Sequence, residues 1–457
     1  MRVARSEGEV MDRAAQYRRT LVSGQLTRRR FIGGIALLGS GPLLAACGPL
    51  TTPTSAPSPA PTVVGAAAST PTTNPTTASV AGTPTTTAQT IPPAATPIRA
   101  PAATPDVAGV PMTELGRMLG LVPQIASLPG DNGIWFADIA QQKRNYGFDA
   151  LTSSTAAQAQ PGGLARFSNV VGKLPLPTEA GVDRALDQQW RATLGYDFWQ
   201  IERAINGGDP PRTWARLEGT LDRATIEAAL RGQGYTTTPY RDRDYLARFG
   251  DGEIRLSDPL GRLVLSRLNR VALEDGALAC APDTAAIEAG IDVAGGRQPS
   301  FAADPNYAAL ALALGPVVGA ILAPADELYR PAAVPTRGAT PRVARTATPT
   351  RALLRPYRLA GLGLRDDGTT HTMVIALVYP TAAEAQVAAP ILHRRAENYV
   401  LLRSGQRLRE RASPGEPVVV DTGARAVLIQ PFTIAAEADL ALYVQLYTNR
   451  DLLFLAE

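Results

Sequence analysis

The sequence predicts an α+β fold: largely antiparallel sheets with short helices, in two lobes that follow a long N-terminal region without a globular pattern. Two observations predict it. Turn signals of the Asp-Gly type separate short β-rich runs, as antiparallel hairpins require. Short amphipathic runs begin at Asp or Thr and end at Gly, without the regular strand–helix alternation that is typical of a parallel sheet.

The first lobe covers residues 112–330. Residues 133–140 are rich in aromatic and β-branched side chains and predict a strand. Residues 198–205 predict a helix capped by the preceding aspartate, and Asp222 is placed to cap a second helix. Asp275-Gly276 lies between two apolar runs and predicts a hairpin turn.

The second lobe covers residues 356–457 and repeats this organisation. The segment 366–368, Asp-Asp-Gly, lies between two apolar runs and predicts another hairpin. Thr381 and Glu384 have the spacing of a capping box, which predicts a helix through about residue 402.

One apolar stretch is long enough to raise the question of a membrane span. Residues 306–325 contain no charged side chain, but Gly315-Pro316 interrupts them in the middle. A buried helix followed by a buried strand therefore fits the stretch better than a spanning helix of about 20 residues.

A low-complexity segment, residues 331–355, separates the two lobes. It is rich in Pro and Thr, and the arginines at positions 337, 342, 345 and 351 make it basic. We interpret it as a solvated basic linker. A contact with an anionic ligand or surface polymer is the alternative.

A second low-complexity region, residues 47–111, precedes the first lobe. No charged residue occurs between Cys47 and Ile98, where Pro, Thr, Ala and Ser dominate. Such a composition cannot bury enough apolar surface to offset the entropy of ordering. We expect a disordered stalk, which as a flexible coil would span roughly 40–50 Å on average.

Residues 1–46 contain the most informative motif. Arg28 and Arg29 follow Thr27 and precede Phe31 in a mildly apolar run that ends at the triplet Leu44, Ala45 and Ala46, immediately before Cys47. Paired arginines hold an N-terminus on the cytoplasmic side, and a cysteine after small residues offers a thiol that can take a lipid.

This segment resembles a bacterial twin-arginine signal peptide with a lipoprotein cleavage box. The resemblance covers only about the first fifty residues. It implies export by the twin-arginine machinery and lipidation of Cys47, so that the protein is extracytoplasmic and anchored to the membrane. An uncleaved anchor, the general secretion route and an arginine run without a targeting role remain open, as does Met11 as an alternative start.

The net charge argues against a nucleic-acid partner once this segment is set aside. The chain has 45 Lys plus Arg and 41 Asp plus Glu, a net charge of +4. Eight arginines and three acids precede Cys47, so the remainder has 37 basic and 38 acidic residues and a net charge of −1. The basic character therefore belongs to the signal segment.

Residues with catalytic or metal-binding chemistry are few. His371 and His393 are the two histidines and are expected to be exposed, and Cys280 is expected to be a buried small hydrophobe. A His/Cys metal site is therefore not expected, and no cofactor motif or hydrolase elbow occurs in the mature chain. We interpret the acidic pair Asp366-Asp367 as residues that solvate a turn. A pair of catalytic carboxylates, as in glycosidases, is the weaker alternative.

Aromatic residues give the one weak indication of binding. The first lobe contains four tryptophans, at positions 135, 190, 199 and 214. Exposed rings could stack on a sugar or a peptide, but packing in the core is the more ordinary role.

Three classes of function agree with these observations. The favoured one is a non-enzymatic, membrane-tethered module that binds or senses an extracytoplasmic ligand or protein. A solute-binding lipoprotein of a transporter is the second, although such proteins usually show strand–helix alternation. An envelope hydrolase is the third, without a specific motif in its favour.

Overall fold

The computed structural model describes residues 112–125, 127–128, 133–159, 163–185, 187–209, 212–328 and 353–456. These residues belong to one compact unit, Pro101–Glu457. The predicted signal segment and stalk, and residues 331–352 of the predicted linker, lie outside the described residues.

The strands are β1 (Ile134–Asp138), β2 (Ile201–Asp209), β3 (Arg212–Gly219), β4 (Thr236–Tyr240), β5 (Arg243–Ala247), β6 (Arg270–Glu274), β7 (Ala277–Ala281), β8 (Gly319–Pro324), β9 (Leu359–Asp366), β10 (His371–Tyr379), β11 (Ala412–Pro414), β12 (Val418–Asp421) and β13 (Ala426–Ile434).

The α-helices are α1 (Glu114–Leu119), α2 (Ile139–Asn145), α3 (Ser154–Ala159), α4 (Gly163–Val170), α5 (Gln188–Leu194), α6 (Arg223–Gly232), α7 (Pro259–Val264), α8 (Thr284–Ala294), α9 (Pro305–Leu314), α10 (Ala325–Leu328), α11 (Ala382–Asn398) and α12 (Leu442–Thr448). Short 3-10 helices are Thr178–Ala180, Val182–Arg184, Phe198–Gln200, Phe301–Ala303, Leu408–Glu410, Glu437–Asp439 and Leu453–Leu455.

The thirteen strands of the described residues join one sheet, in the order β11-β13-β10-β9-β8-β1-β2-β3-β7-β6-β5-β4, with β12 also paired to β13. Every neighbouring pair is antiparallel. The predicted α+β class with a largely antiparallel sheet is confirmed. The two predicted lobes meet within this sheet, because β8 of the first pairs with β9 of the second.

Helices cover both faces of the sheet. Successive side chains of its strands point to opposite faces, and apolar side chains are buried on both. On β10, Met373 and Ile375 pack in the cluster that contains α6, α11 and α12, which we call the first face. Val374 and Ala376 pack in the cluster that contains α1, α8 and α9, the second face. Strands buried on both sides carry apolar residues at nearly every position.

Helix α9 lies close to the sheet because glycines in β9 leave room for it. A Cβ atom on Gly363 would be 2.8 Å from a methyl group of Val317, and one on Gly361 would be 3.0 Å from Leu310. These distances are shorter than ordinary carbon contacts, so larger residues would push α9 and its following loop away from the strand.

The predicted apolar stretch, hairpins and caps are largely confirmed. Residues 306–325 form most of α9 and then β8, separated at Gly315. The turns at Asp275-Gly276 and at 366–368 connect β6 to β7 and β9 to β10. Asp222 and Thr381 each accept the backbone N–H three residues later, as helix N-caps do.

Two predicted helices differ from the structure. Residues 198–205 are not a helix: after the 3-10 turn Phe198–Gln200 the chain enters β2. Helix α11 ends at Asn398 rather than near residue 402. Residues 201–205 are instead buried as part of the sheet, and residues 399–402 alternate buried and exposed side chains, as in an extended segment.

The order of elements shows a repeated unit. When α2–α5, which lie between β1 and β2, and α10, which lies between β8 and β9, are set aside, the first half of the sheet contains α1-β1-β2-β3-α6 and the second half contains α9-β8-β9-β10-α11. The first strands of the two units, β1 and β8, pair at the centre, with Phe136 opposite Ala320. The halves therefore extend in opposite directions, each completed by a later strand, β7 beside β3 and β13 beside β10.

Candidate functional site

An open pocket of about 100 Å³ lies in the second half, between the chain that follows α11 and the segment formed by α12 and the residues after it. Two leucines, Leu401 and Leu446, line part of it. The remaining lining residues are polar: Arg403, Ser404, Arg411, Gln445, Asn449 and Asp451.

A tight hairpin loop forms one wall of this pocket. Val400 pairs with Arg407 across an isolated antiparallel bridge, and the Leu401 N–H donates to the Gln406 carbonyl at 2.8 Å. Gly405 has a φ of +71°, in the left-handed region that favours glycine, and its N–H donates to the Leu401 carbonyl at 2.9 Å. We call residues 399–408 the arginine hairpin.

Asp451 fixes the arginine hairpin to the C-terminal segment. Its carboxylate is 4% exposed and accepts the Leu402 N–H at 3.0 and 3.2 Å and the Tyr399 hydroxyl at 2.6 Å. Burial, together with the bond to Asp451, raises the pKa of Tyr399 above its ordinary value. The hydroxyl therefore remains protonated and donates to Asp451.

Most acceptor atoms of the lining already receive hydrogen bonds. Arg403 Nη1 donates to Asn449 Oδ1 at 3.1 Å, and Arg411 Nη1 donates to Gln445 Oε1 at 3.3 Å. The hydroxyl oxygen of Ser404 accepts the Gln406 N–H at 3.3 Å. The groups left over are donors: the other N–H groups of Arg403, two side-chain amide NH₂ groups and the Ser404 O–H.

The segment that forms the hairpin wall of the pocket has a net positive charge. Residues 399–411 contain four arginines and one acid, Glu410. Arg411 is half-buried and pairs with Asp439, whereas Arg403, Arg407 and Arg409 are exposed and form no ion pair with another described residue. A pocket with free donors beside unpaired guanidinium groups is complementary to an oxyanion such as a phosphate, sulfate or carboxylate.

A second polar cluster lies where the β9–β10 hairpin meets α2. The Asp366 side chain is fully buried and accepts from Gln142 Nε2 at 2.7 Å and from the Tyr146 hydroxyl at 3.0 Å. Its other oxygen lies 2.9 Å from His371 Nδ1 and 2.9 Å from the Gly368 backbone nitrogen.

This cluster corrects two expectations from the sequence. His371 is 9% exposed rather than solvent-facing, and its ring stacks on Tyr146. Asp366 is a buried hydrogen-bond centre, and only Asp367 solvates the turn, where it accepts from Thr369 and Thr370. Because both Asp366 oxygens have protein partners, we assign the cluster to joining the two halves. His393 is half-buried, with Nδ1 3.3 Å from Gln430 Oε1.

The residues that carry the signal prediction lie outside the described part of the chain; they are Arg28, Arg29, Phe31, Leu44, Ala45, Ala46 and Cys47. Cys280 is confirmed as buried, and burial raises the pKa of its thiol. The thiol is therefore less reactive than an exposed one.

The tryptophans pack in the core, as expected for their more ordinary role. Trp190, Trp199 and Trp214 are buried. Trp135 is partly buried and meets the Tyr447 ring edge-on, with the ring centres 5.9 Å apart.

The sequence did not indicate the pocket, because its two walls are about forty residues apart and one of them was expected to be helical. The four arginines between positions 403 and 411 were the one local signal that could have indicated it. Among the described residues, no group of three or more His, Cys, Asp or Glu could hold a metal ion. In that same part of the chain, no helix has both the length and the apolar character needed to cross a membrane.

Comparisons with known proteins give little. No protein-family model and no curated protein sequence matches the chain. A solved structure of TP0453, crystal form I, aligns with a TM-score of 0.31 and 9% sequence identity, covering 73% of this chain and 96% of that chain. Similarity at this level transfers neither fold nor function.

Proposed function

We propose that this protein is a lipid-anchored, extracytoplasmic binding module whose ligand carries an oxyanion, held in the pocket beside the arginine hairpin. Two features support the proposal. The N-terminal motif that ends at Cys47 is typical of exported lipoproteins. The described domain provides a pocket whose free polar groups are mostly donors.

The ligand class rests on one observation: most acceptor atoms of the pocket already receive hydrogen bonds from the protein. Asn449 Oδ1 and Gln445 Oε1 each accept from an arginine, and both oxygens of Asp451 accept from the arginine hairpin. A ligand that offers only donors would find few partners there. A ligand that offers oxygen atoms would meet the Arg403 guanidinium and the Ser404 hydroxyl.

The rigid attachment of the hairpin supports binding rather than a mobile surface loop. Asp451 holds the Leu402 backbone and the Tyr399 hydroxyl at the same time. Arg403 and Ser404 follow directly, so their backbone is ordered before a ligand arrives. Preorganised donors lose less entropy on binding and give higher affinity for the same contacts.

The anchor is tested by Cys47→Ser, with Cys280→Ser as the matched cysteine control. We expect Cys47→Ser to leave the membrane fraction and Cys280→Ser to remain in it. Mass spectrometry of the wild-type protein should show an acylated N-terminal Cys47. An unacylated N-terminus, with Cys47→Ser equally membrane-associated, would contradict the anchor.

The export route is tested separately. Arg28→Lys combined with Arg29→Lys should accumulate precursor if the twin-arginine machinery is the route.

The pocket is tested by titrating the mature chain with inorganic phosphate and with sulfate, followed by NMR or calorimetry. Removing a charged donor from a hydrogen bond costs about 1.5–3 kcal/mol. We therefore expect Arg403→Gln to weaken binding about tenfold or more. Arg223→Gln, an exposed arginine at the start of α6, should bind like the wild type. Equal affinities for the two variants would contradict the assignment of the pocket.

A further inference from the structure

Two large apolar side chains are exposed beside the pocket. Leu402 is 61% exposed and Leu453 is 54% exposed. They flank Asp451: the Leu402 backbone donates to its carboxylate, and Leu453 follows it by two residues. Tyr399 and Phe454, their buried neighbours, pack ring to ring at 4.7 Å. The leucines therefore stand on an ordered base.

The chain segment that carries Leu402 is basic. Arg403, Arg407 and Arg409 are exposed and have no ion-pair partner among the described residues, and Glu410 is the one acid in residues 399–411. We call the surface formed by Leu402, Leu453 and these three arginines the leucine–arginine face. Exposed leucines, one of them in the same segment as exposed guanidinium groups, match the boundary between acyl chains and phosphates in a bilayer.

We infer that the leucine–arginine face docks on an anionic phospholipid surface, with a headgroup phosphate as the oxyanion in the pocket. This inference rests on the proposed function and names the source of its ligand. Leu402 and Leu453 would enter the headgroup boundary, while the arginines contact phosphates around them. Each basic residue near an anionic surface strengthens binding by about fivefold.

Charge complementarity and the tether favour a membrane as the occupant. The predicted stalk, residues 47–111, would span roughly 40–50 Å as a flexible coil, so a lipid at Cys47 would keep the domain within contact of the bilayer that holds it. A flexible tether of this span raises the effective concentration of the second contact to about the millimolar range. Weak docking would then be sufficient to lay the domain on the surface.

The test uses the mature chain, residues 47–457, carrying Cys47→Ser so that the lipid does not contribute. Binding is measured by co-sedimentation with phosphatidylglycerol vesicles and with phosphatidylcholine vesicles at two salt concentrations. We expect binding to the anionic vesicles that weakens with salt, and much weaker binding to the zwitterionic vesicles.

Matched variants separate the contributions of the two residue types. Leu402→Ser combined with Leu453→Ser should weaken vesicle binding about tenfold and leave titration by free phosphate unchanged. Leu256→Ser, an equally exposed leucine between β5 and α7, should bind vesicles like the parent chain. Arg407→Gln combined with Arg409→Gln should weaken vesicle binding by more than tenfold.

Other outcomes would overturn the inference in distinguishable ways. If the leucine pair has no effect on vesicle binding while Arg403→Gln still abolishes phosphate binding, the docking face is wrong and the oxyanion pocket stands. If neither free phosphate nor vesicles bind, the docking face and the oxyanion pocket are both wrong. If sedimentation equilibrium shows a dimer that the leucine pair dissolves, the occupant of the face is a second copy of the chain.

Discussion

The two halves of the sheet share their topology but cover their second face differently. In the second half, Val374, Ala376 and Val378 of β10 are fully buried, on the face that α9 covers. In the first half, β3 carries the buried Trp214 on this face and then Arg216 and Glu218. A repeated backbone therefore tolerates a charged network beside the apolar contacts, provided that each buried polar group finds partners.

The charged network of the first half runs across several elements. Glu218 pairs with Arg117 of α1 at 2.5 Å and with Arg216 at 3.0 Å, and Arg216 pairs with Glu274 of β6 at 2.7 Å. The hydrogen bonds are charge-assisted, and several charges share each partner. Such a network stabilises more than isolated surface pairs do.

The halves also differ after their repeated helices. After α6 the chain forms another hairpin, β4–β5, which extends the sheet. After α11 it forms the arginine hairpin, which lines the pocket. The repeated elements provide the scaffold, and the candidate binding groups lie in a segment that the first half lacks.

The largest difference in stability between matched substitutions in the two halves is expected for the aspartates that end β9 and β2, the first strands of the two hairpins. Asp366 ends β9 and is fully buried, whereas Asp209 ends β2 and is half-buried. Asp366→Ala should lower the free energy of unfolding by about 3 kcal/mol, because buried donors lose a charged acceptor. Asp209→Ala should cost less than about 1 kcal/mol. Urea denaturation measures both, and similar losses would show that burial of Asp366 does not set its contribution.

A smaller effect is expected where α9 approaches the sheet. Gly363→Ala should destabilise the protein by about 2 kcal/mol, because its Cβ would be 2.8 Å from Val317. Gly232→Ala, in α6, has no heavy atom within 4 Å of the added Cβ and should be neutral or slightly stabilising. Thermal unfolding followed by circular dichroism compares them. A tolerated Gly363→Ala would mean that α9 is loosely packed.

The smallest expected effect is on the stability of the first half at acidic pH. Burial would raise the pKa of Glu218, but hydrogen bonds from Arg117 and Arg216 outweigh it and lower the pKa below its ordinary value. The folded state then binds this proton less readily than the unfolded state. Its stabilisation is present above the ordinary glutamate pKa and is lost as pH falls through the lowered one.

Denaturation at several pH values tests this expectation. Glu218→Gln should be less stable than the wild type by about 1 kcal/mol at pH 6. The difference should shrink as the pH falls toward 3. A difference that does not change with pH would show that the lowered pKa of Glu218 is not the source of its contribution.

The sequence predicted the turns and helix caps, because these depend on residues that are close together in the chain. Asp275-Gly276 and the caps at Asp222 and Thr381 depend on neighbouring residues, and their elements formed as expected. Asp366 was misinterpreted because its partners Gln142 and Tyr146 are more than 200 residues away. No local pattern reports a contact at that separation.

The candidate site was unpredictable for the same reason. Arg403 and Asn449 are 46 residues apart, and their pairing depends on the end of α11 and on Asp451. The antiparallel sheet also departs from the strand–helix alternation that a solute-binding lipoprotein would show.

A crystal soaked in selenate tests the central claim most directly, because selenium gives an anomalous signal from an oxyanion. The account predicts a peak in the pocket, with selenate oxygens about 3 Å from the Arg403 guanidinium and the Ser404 hydroxyl, and no such peak in Arg403→Gln crystals. An empty pocket beside occupied sites elsewhere on the surface, or an unchanged peak in the variant, would contradict it.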